Sequence, residues 1–291
     1  MDTSRLRRFK QVDVFTATPY FGNPVAVVLD SEGIADEAMQ RFTDWTNLSE
    51  ATFVLPPQHP QADYRLRIFC PGRELPFAGH PTLGSCHAWL EAGGQPRGEF
   101  VVQECGIGLV KLRRDGARLA FAAPTLRKGG PLPEDDVALI ARGLRIARED
   151  IVAHAWCDNG PNWRGVMLRS ADEVLAIKPD AAVLDGLDVG VVGPRGKVGI
   201  VGSRPEGDEC AFEVRAFFPG NNGITEDPVT GSLNAALAQW LIGSGMAPPR
   251  YLAAQGTALA RAGRVHVERD AAGEIWIGGA SVTCVQGTVL L

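Results

Sequence analysis

The sequence predicts a mixed α/β protein made of two related halves joined by a pseudo-twofold relationship. Three observations carry this prediction. "YRLRIFCPG" from Tyr64 lines up with "FEVRAFFPG" from Phe212, and "HPTLGSCHAWL" from His80 lines up with "DPVTGSLNAAL" from Asp227. Nine identities fall in twenty aligned positions at an offset of 147–148, about half the 291-residue chain, which is how a duplicated unit reads. In both copies a strand-like alternation ends at Pro-Gly, and a helix follows at 3.6-residue spacing.

Taken in order, "QVDVFT" reads as a strand, behind a basic run, Arg5-Leu6-Arg7-Arg8, that reads as a solvated end. "FGNPVAVVLD" is a turn and a second strand. "DEAMQRFTDWTN" places Ala38, Met39, Phe42 and Trp45 near helical spacing, and Trp45, Trp89, Trp240 and Trp276 are expected in the core. Thr52 to Leu55 is a strand ended by Pro56-Pro57. The first repeat then supplies a strand and a helix carrying Leu83, Cys86 and Leu90, stopped by Gly93-Gly94. "LVKLRRDGARLAFAAP" is a hairpin about Asp115-Gly116. The Pro- and Gly-rich stretch from Thr125 is the best linker, so the halves are expected at 1–125 and 126–291, with the last strand able to pair with the first half. Val137, Ile140, Ala141 and Leu144 mark a helix. In the second repeat Pro228 is expected at the first helical position with Asp227 as N-cap, and Gly243 and Gly245 mark the stop. "RVHVERDAAGEIWIGG" reads as a hairpin and "SVTCVQGTVLL" as a last strand.

Composition bounds the function. Hydrophobic content of 45%, charged content of 22% and net charge −5 describe a globular chain without the basic footprint of a nucleic-acid binder. No apolar stretch approaches a membrane span, and no leader-like segment opens the chain, so a cytoplasmic protein is expected. Six scattered cysteines and five histidines form no zinc pattern, and no metal is expected. "CGIGLVK" precedes a strand, so it is no nucleotide loop.

Two features exceed helix building. Gly84 and Gly231, placed in first turns, cost roughly 1 kcal/mol each against alanine, which points to close approach of something to the backbone. Helix N-termini present N–H groups and the positive end of the dipole; two of them, brought together, suit a carboxylate. What stands before the repeated proline differs, His80 in one copy and Asp227 in the other. Asp227 alone reads as an ordinary cap, whereas histidine is not a preferred one. Glu50, at a helix–strand junction, reads on its own as a solvated loop carboxylate more readily than as a desolvated acid/base.

"VDVFTATPYFGNPVAVVLD", "NLSEATFVLPP", "ELPFAGHPTLGS", "DNGPNW", "EVRAFFPG", "EDPVTGSLNAALAQWL" and "QGTALARAGRV" together resemble the PhzF-like, phenazine-biosynthesis isomerase family across essentially the whole chain. The resemblance implies the diaminopimelate epimerase-like fold, in which each half is a curved, mostly antiparallel sheet around a central helix. It implies a cofactor- and metal-independent isomerase acting on a small carboxylate-bearing substrate, commonly a homodimer, with no nucleic-acid or membrane partner. It turns Glu50 from a loop residue into the general acid/base. It assigns His80, Asp227 and Ser232 to the catalytic set, and Gly79, Asn23, Ser85, Thr230 and Gly231 to the substrate pocket. Two rivals accompany it: an amino-acid epimerase of the same fold, for which His80 and Asp227 stand where two cysteines belong, and a non-catalytic carboxylate binder. Ala260 departs from the family, which often has glycine before Arg261.

Overall fold

A computed structural model describes residues 4–196, 209–220 and 223–291. The strands and helices are β1 (Leu6–Val14), β2 (Asn23–Val28), α1 (Asp36–Thr46), β3 (Ala51–Leu55), β4 (Tyr64–Cys70), β5 (Arg73–Leu75), α2 (Gly79–Glu91), β6 (Val101–Cys105), β7 (Gly108–Asp115) and β8 (Arg118–Ala122). They continue as α3 (Glu134–Leu144), β9 (Ala153–Asp158), β10 (Asn162–Met167), α4 (Ala171–Ala176), β11 (Val189–Pro194), β12 (Phe212–Gly220), β13 (Gly223–Asp227), α5 (Gly231–Gly243), β14 (Arg250–Gln255), β15 (Gly263–Arg269) and β16 (Ile275–Leu290). The chain divides into two units, residues 1–122 with 278–291, and residues 123–277.

In the first unit the strand order β1-β2-β3-β4-β6-β7-β8-β16 closes on itself through antiparallel β1–β16 pairing, giving an eight-stranded barrel. Closure is why the last residues join the first unit: β16 starts beside β15 and finishes against β1. The barrel surrounds α2, whose buried residues run from Gly79 through Cys86 and include Ala88. A helix buried all round must satisfy its polar side chains internally. Thr82 accepts from Gln103 at 3.1 Å, Gln103 accepts from Tyr64 at 3.0 Å, and Ser85 donates to Thr52 at 2.8 Å. Outside, Met39 and Phe42 of α1 pack on Phe9, Phe53 and Phe69.

The second unit repeats the plan. Strands β15-β14-β12-β11-β10-β9 follow β16 in order, with β13 off this path and paired to β12. Helix α5 is buried from Gly231 through Ala238 and again at Leu241 and Ile242. Val137, Ile140, Ala141 and Leu144 of α3 join a core with Val166, Val189, Val191 and Phe217. Parallel pairings of β2 with β3, β4 with β6, β10 with β11 and β12 with β14 stand among the antiparallel ones.

Four expectations change. The basic run is solvated at Arg5, Leu6 and Arg8, but Leu6 to Arg8 belong to β1 and Arg7 turns inward. Arg7 is buried and donates to the main-chain oxygens of Asp30, Glu32 and Leu291, and burial lowers its pKa from the usual arginine value. Trp45 is 81% exposed, because the helical period sets it off the face that Met39 and Thr43 bury. Pro228 does not open α5: the helix starts three residues later, with Thr230, not Asp227, as N-cap. Pro81, its repeat partner, is the third residue of α2. Gly84 is likewise the sixth residue of α2 rather than a first-turn residue. A Cβ there would stand 2.4 Å from Val25 Cγ1 and 3.0 Å from Val14 Cγ2. What approaches that backbone is the barrel wall.

Ala260, the departure from the family glycine, sits at φ 56°, ψ 31°. That is the left-handed region, which costs an L-residue roughly 1 kcal/mol or more.

Candidate active site

The first unit brings three predicted residues together. The turn between β1 and β2 is held by Asp13, whose carboxylate accepts from the Gly22 N–H at 3.0 Å. A Cβ on Gly22 would lie 2.1 Å from Val14 O, so only glycine fits. This delivers Asn23, fully buried, to the start of β2. Glu50 stands directly ahead of β3, and its carbonyl accepts from Ala26 N–H at 3.4 Å where β2 and β3 run parallel. His80 is the second residue of α2 and 3% exposed.

The Asn23 amide is 3.2 Å from His80 Nδ1, and His80 Nε2 is 3.3 Å from Glu50 Oε2. The second approach lies within ion-pair distance but does not meet hydrogen-bond geometry. Burial pushes the His80 pKa down from 6.5 to about 3, against a smaller upward contribution from the Pro24 backbone. At neutral pH the ring is therefore uncharged, one nitrogen donating and the other accepting. Asn23 and Glu50 flank the two nitrogens and so decide which carries the proton. Ser85, by contrast, is spent inside the barrel, donating to Thr52. Cys86 is also interior, and burial raises its thiol to about 12, so it is packed rather than nucleophilic.

The second unit holds the other set. Asp227 ends β13 and is largely buried. Its carboxylate accepts from the Thr230 hydroxyl at 2.6 Å, which is why that hydroxyl does not cap the helix itself. Gln255 braces the turn: it accepts from Thr230 N–H at 3.0 Å and donates to Thr230 Oγ1 at 2.9 Å and Asp227 O at 3.2 Å. Asn234 donates to Gln255 at 2.8 Å and to Thr230 O at 2.9 Å. Ser232, second in α5, accepts the Trp163 indole N–H at 3.1 Å, and its carbonyl accepts from Asn159 at 2.8 Å. The indole takes one lone pair and leaves the Ser232 hydroxyl able to donate. Gly79 and Gly231 are the first residues of their helices, where main-chain N–H groups have no intrahelical acceptor.

Gln255, Asn159, Trp163 and Asn234 were not picked out from sequence as site residues. Gln255 opens the Q-G-T-A-L stretch and Asn159 and Trp163 lie in D-N-G-P-N-W, two motifs that carried the resemblance without a role attached. Among the described residues, no three His, Cys, Asp or Glu side chains group as a metal site needs, and no helix is long and apolar enough to cross a membrane.

Two units, each a curved sheet wrapped on a buried helix, define the diaminopimelate epimerase-like fold class, and the class of protein is an isomerase. The chain belongs to the phenazine biosynthesis-like protein family, PhzC-PhzF, whose model matches residues 12–287. It is 36% identical over 302 residues to antisense-enhancing sequence 1 of Schizosaccharomyces pombe, covering 96% of this chain and 97% of that one. It is 33% identical over 279 residues to trans-2,3-dihydro-3-hydroxyanthranilate isomerase of Pseudomonas aeruginosa, covering 92% of each. A crystal structure of a PhzF-family phenazine biosynthesis protein from Enterococcus faecalis matches with a TM-score of 0.78 at 24% identity, over 99% of this chain and 100% of that one.

Proposed function

We propose that this chain moves a proton between two carbons of a small carboxylate-bearing substrate, without a cofactor, with Glu50 as general acid and base. The observation that carries the reading is the approach of Glu50 Oε2 to a buried, uncharged His80 at 3.3 Å. A carboxylate beside a neutral imidazole can take a proton from carbon and return it elsewhere, while the imidazole adjusts its own proton without becoming a cation. The substrate type is that of the Pseudomonas relative, trans-2,3-dihydro-3-hydroxyanthranilate. On such a ring Glu50 removes a proton from the hydroxyl-bearing carbon and delivers one to another carbon, and the enol so formed tautomerises to a ketone; no atom is gained or lost. Asp227, held by Thr230, and Ser232 manage the charge and tautomer of the substrate. The first turn of α2, with Gly79, attracts its carboxylate, and Asn23 keeps His80 in place.

Nothing favours two-cysteine racemisation: the residues at the helix starts are His80 and Ser232, and Cys86 is buried and protonated. The test is proton NMR in deuterated water with trans-2,3-dihydro-3-hydroxyanthranilate and a panel of small hydroxy and amino acids. Wild type should place deuterium on a substrate carbon, and Glu50→Gln should slow this by about 10²–10⁴-fold. Equal exchange by the mutant removes Glu50 from the role. Binding of a carboxylate with no exchange by wild type would make the protein a binder.

A further inference from the structure

The repeat pairs Arg67 with Arg215 and Phe69 with Phe217, and nothing in the proposed chemistry uses either arginine. The structure shows that each is the centre of the same device. Arg67 of β4 lies 5.0 Å from the Phe69 ring and forks to Glu74 of β5 at 2.8 and 2.6 Å. Arg215 of β12 lies 4.9 Å from the Phe217 ring and forks to Glu226 of β13 at 2.9 and 2.7 Å. The register is the same too, Phe69 opposite Glu74 and Phe217 opposite Glu226.

The copies differ in where they stand. Glu74 is 42% exposed and six residues ahead of His80, whereas Glu226 is 12% exposed and immediately precedes Asp227. Strand β13 ladders with β12, and that ladder, together with the bonds from Thr230 and Gln255, sets the direction of its last side chain. Arg215 reinforces it from the other side. Its remaining donor reaches Val174 O at 3.1 Å and Ile177 O at 2.8 Å, carbonyls at the C-terminal end of α4. Carbonyls at a helix C-terminus attract a cation, and a planar fork transmits that fixity to a carboxylate in two bonds rather than one.

We propose that Arg215 is a positioning residue for the reaction: anchored on the end of α4, it clamps Glu226 and thereby aims the adjoining Asp227 carboxylate. The inference rests on the reading of Asp227 given above, but its central claim concerns the carboxylate and is measurable without turnover. Lysine at this position keeps the charge and cannot fork, so Arg215→Lys separates geometry from electrostatics.

The experiment uses the full chain labelled with ¹³C at aspartate carboxyls, the Asp227 signal being identified by its loss in Asp227→Asn. Arg215→Lys and Glu226→Gln should remain folded by amide fingerprint, yet shift the Asp227 titration midpoint by more than about half a pH unit. Arg67→Lys, which opens the other clamp, should leave that signal in place. Deuterium incorporation into trans-2,3-dihydro-3-hydroxyanthranilate should fall by about tenfold or more in kcat, with KM within about threefold, in the first two variants only. A wild-type Asp227 signal and wild-type kcat in Arg215→Lys would overturn the proposal, as would an equal shift in Arg67→Lys. If Arg215→Lys does not fold, Glu226→Asp, which keeps the charge and shortens the side chain that meets the fork, decides by the same readouts. If wild type exchanges no deuterium, the functional reading is what has failed, and the Asp227 signal alone judges the clamp.

Discussion

Gly84→Ala adds one methyl group at the tightest point between α2 and its barrel. In a helix interior, alanine is favoured over glycine by about 1 kcal/mol, and burying a methyl is worth about 0.8 kcal/mol more. Against this stand the walls. The new Cβ would be 2.4 Å from Val25 Cγ1, 3.0 Å from Val14 Cγ2 and 3.7 Å from Val12 Cβ. Ordinary carbon contact needs about 3.5–4.0 Å, so the helix or Val25 must yield by about an ångström. Val12, Val14 and Val25 are all fully buried and, being β-branched, are stiff at χ1. Overpacking that forces backbone movement costs about 1–3 kcal/mol beyond what the methyl returns. The expected net effect is a loss of about 1–3 kcal/mol in urea unfolding. Because His80 rides on α2, deuterium exchange should also slow. Val25→Ala removes the offending Cγ1, so the double variant should be more stable than the sum of the single losses by at least about 1 kcal/mol. A Gly84→Ala protein as stable as wild type, with no coupling to Val25→Ala, would refute the packing account and return the glycine to the role of admitting a ligand.

Ala260→Gly should stabilise the protein by about 0.5–1 kcal/mol, because φ 56° costs alanine and not glycine. Ala260 is exposed, so no packing is lost, and a small rise in Tm in calorimetry checks it; a fall would contradict the strain. His80 sets a pH dependence. Its folded pKa, about 3, lies below the ordinary 6.5, so the unfolded chain binds the proton first and stability falls as pH drops from about 6.5 towards 3. The slope attributable to it is at most about 1.4 kcal/mol per pH unit. Urea midpoints at pH 7.5, 5.5 and 4.5 should fall more steeply for wild type than for His80→Gln; parallel curves would mean that His80 is not held neutral.

Much of the local structure was legible in the chain itself. Alternation and Pro-Gly located β4 and β12, helical spacing located α2, α3 and α5, and Asp115-Gly116 located the β7–β8 turn, because period and turn chemistry depend on neighbours a few residues away. The motifs singled out Glu50, His80, Asp227 and Ser232 as residue types able to handle protons. Only the folded barrel decided what they meet. Glu50 and His80 are thirty residues apart in sequence, and parallel pairing of β2 with β3 around α2 is what sets them 3.3 Å apart. Arg7 looked solvated because its acceptors, the main-chain oxygens of Asp30, Glu32 and Leu291, are backbone groups whose position no side-chain pattern encodes. The Glu74 and Glu226 counterparts escaped the sequence repeat because the hairpins differ in length, five residues from Phe69 to Glu74 and nine from Phe217 to Glu226, although strand register restores the match. Residue type and periodicity therefore determined which elements form and which groups carry chemistry. Register and barrel closure, which bring distant chain segments within hydrogen-bond reach, decided which of those groups act on one another.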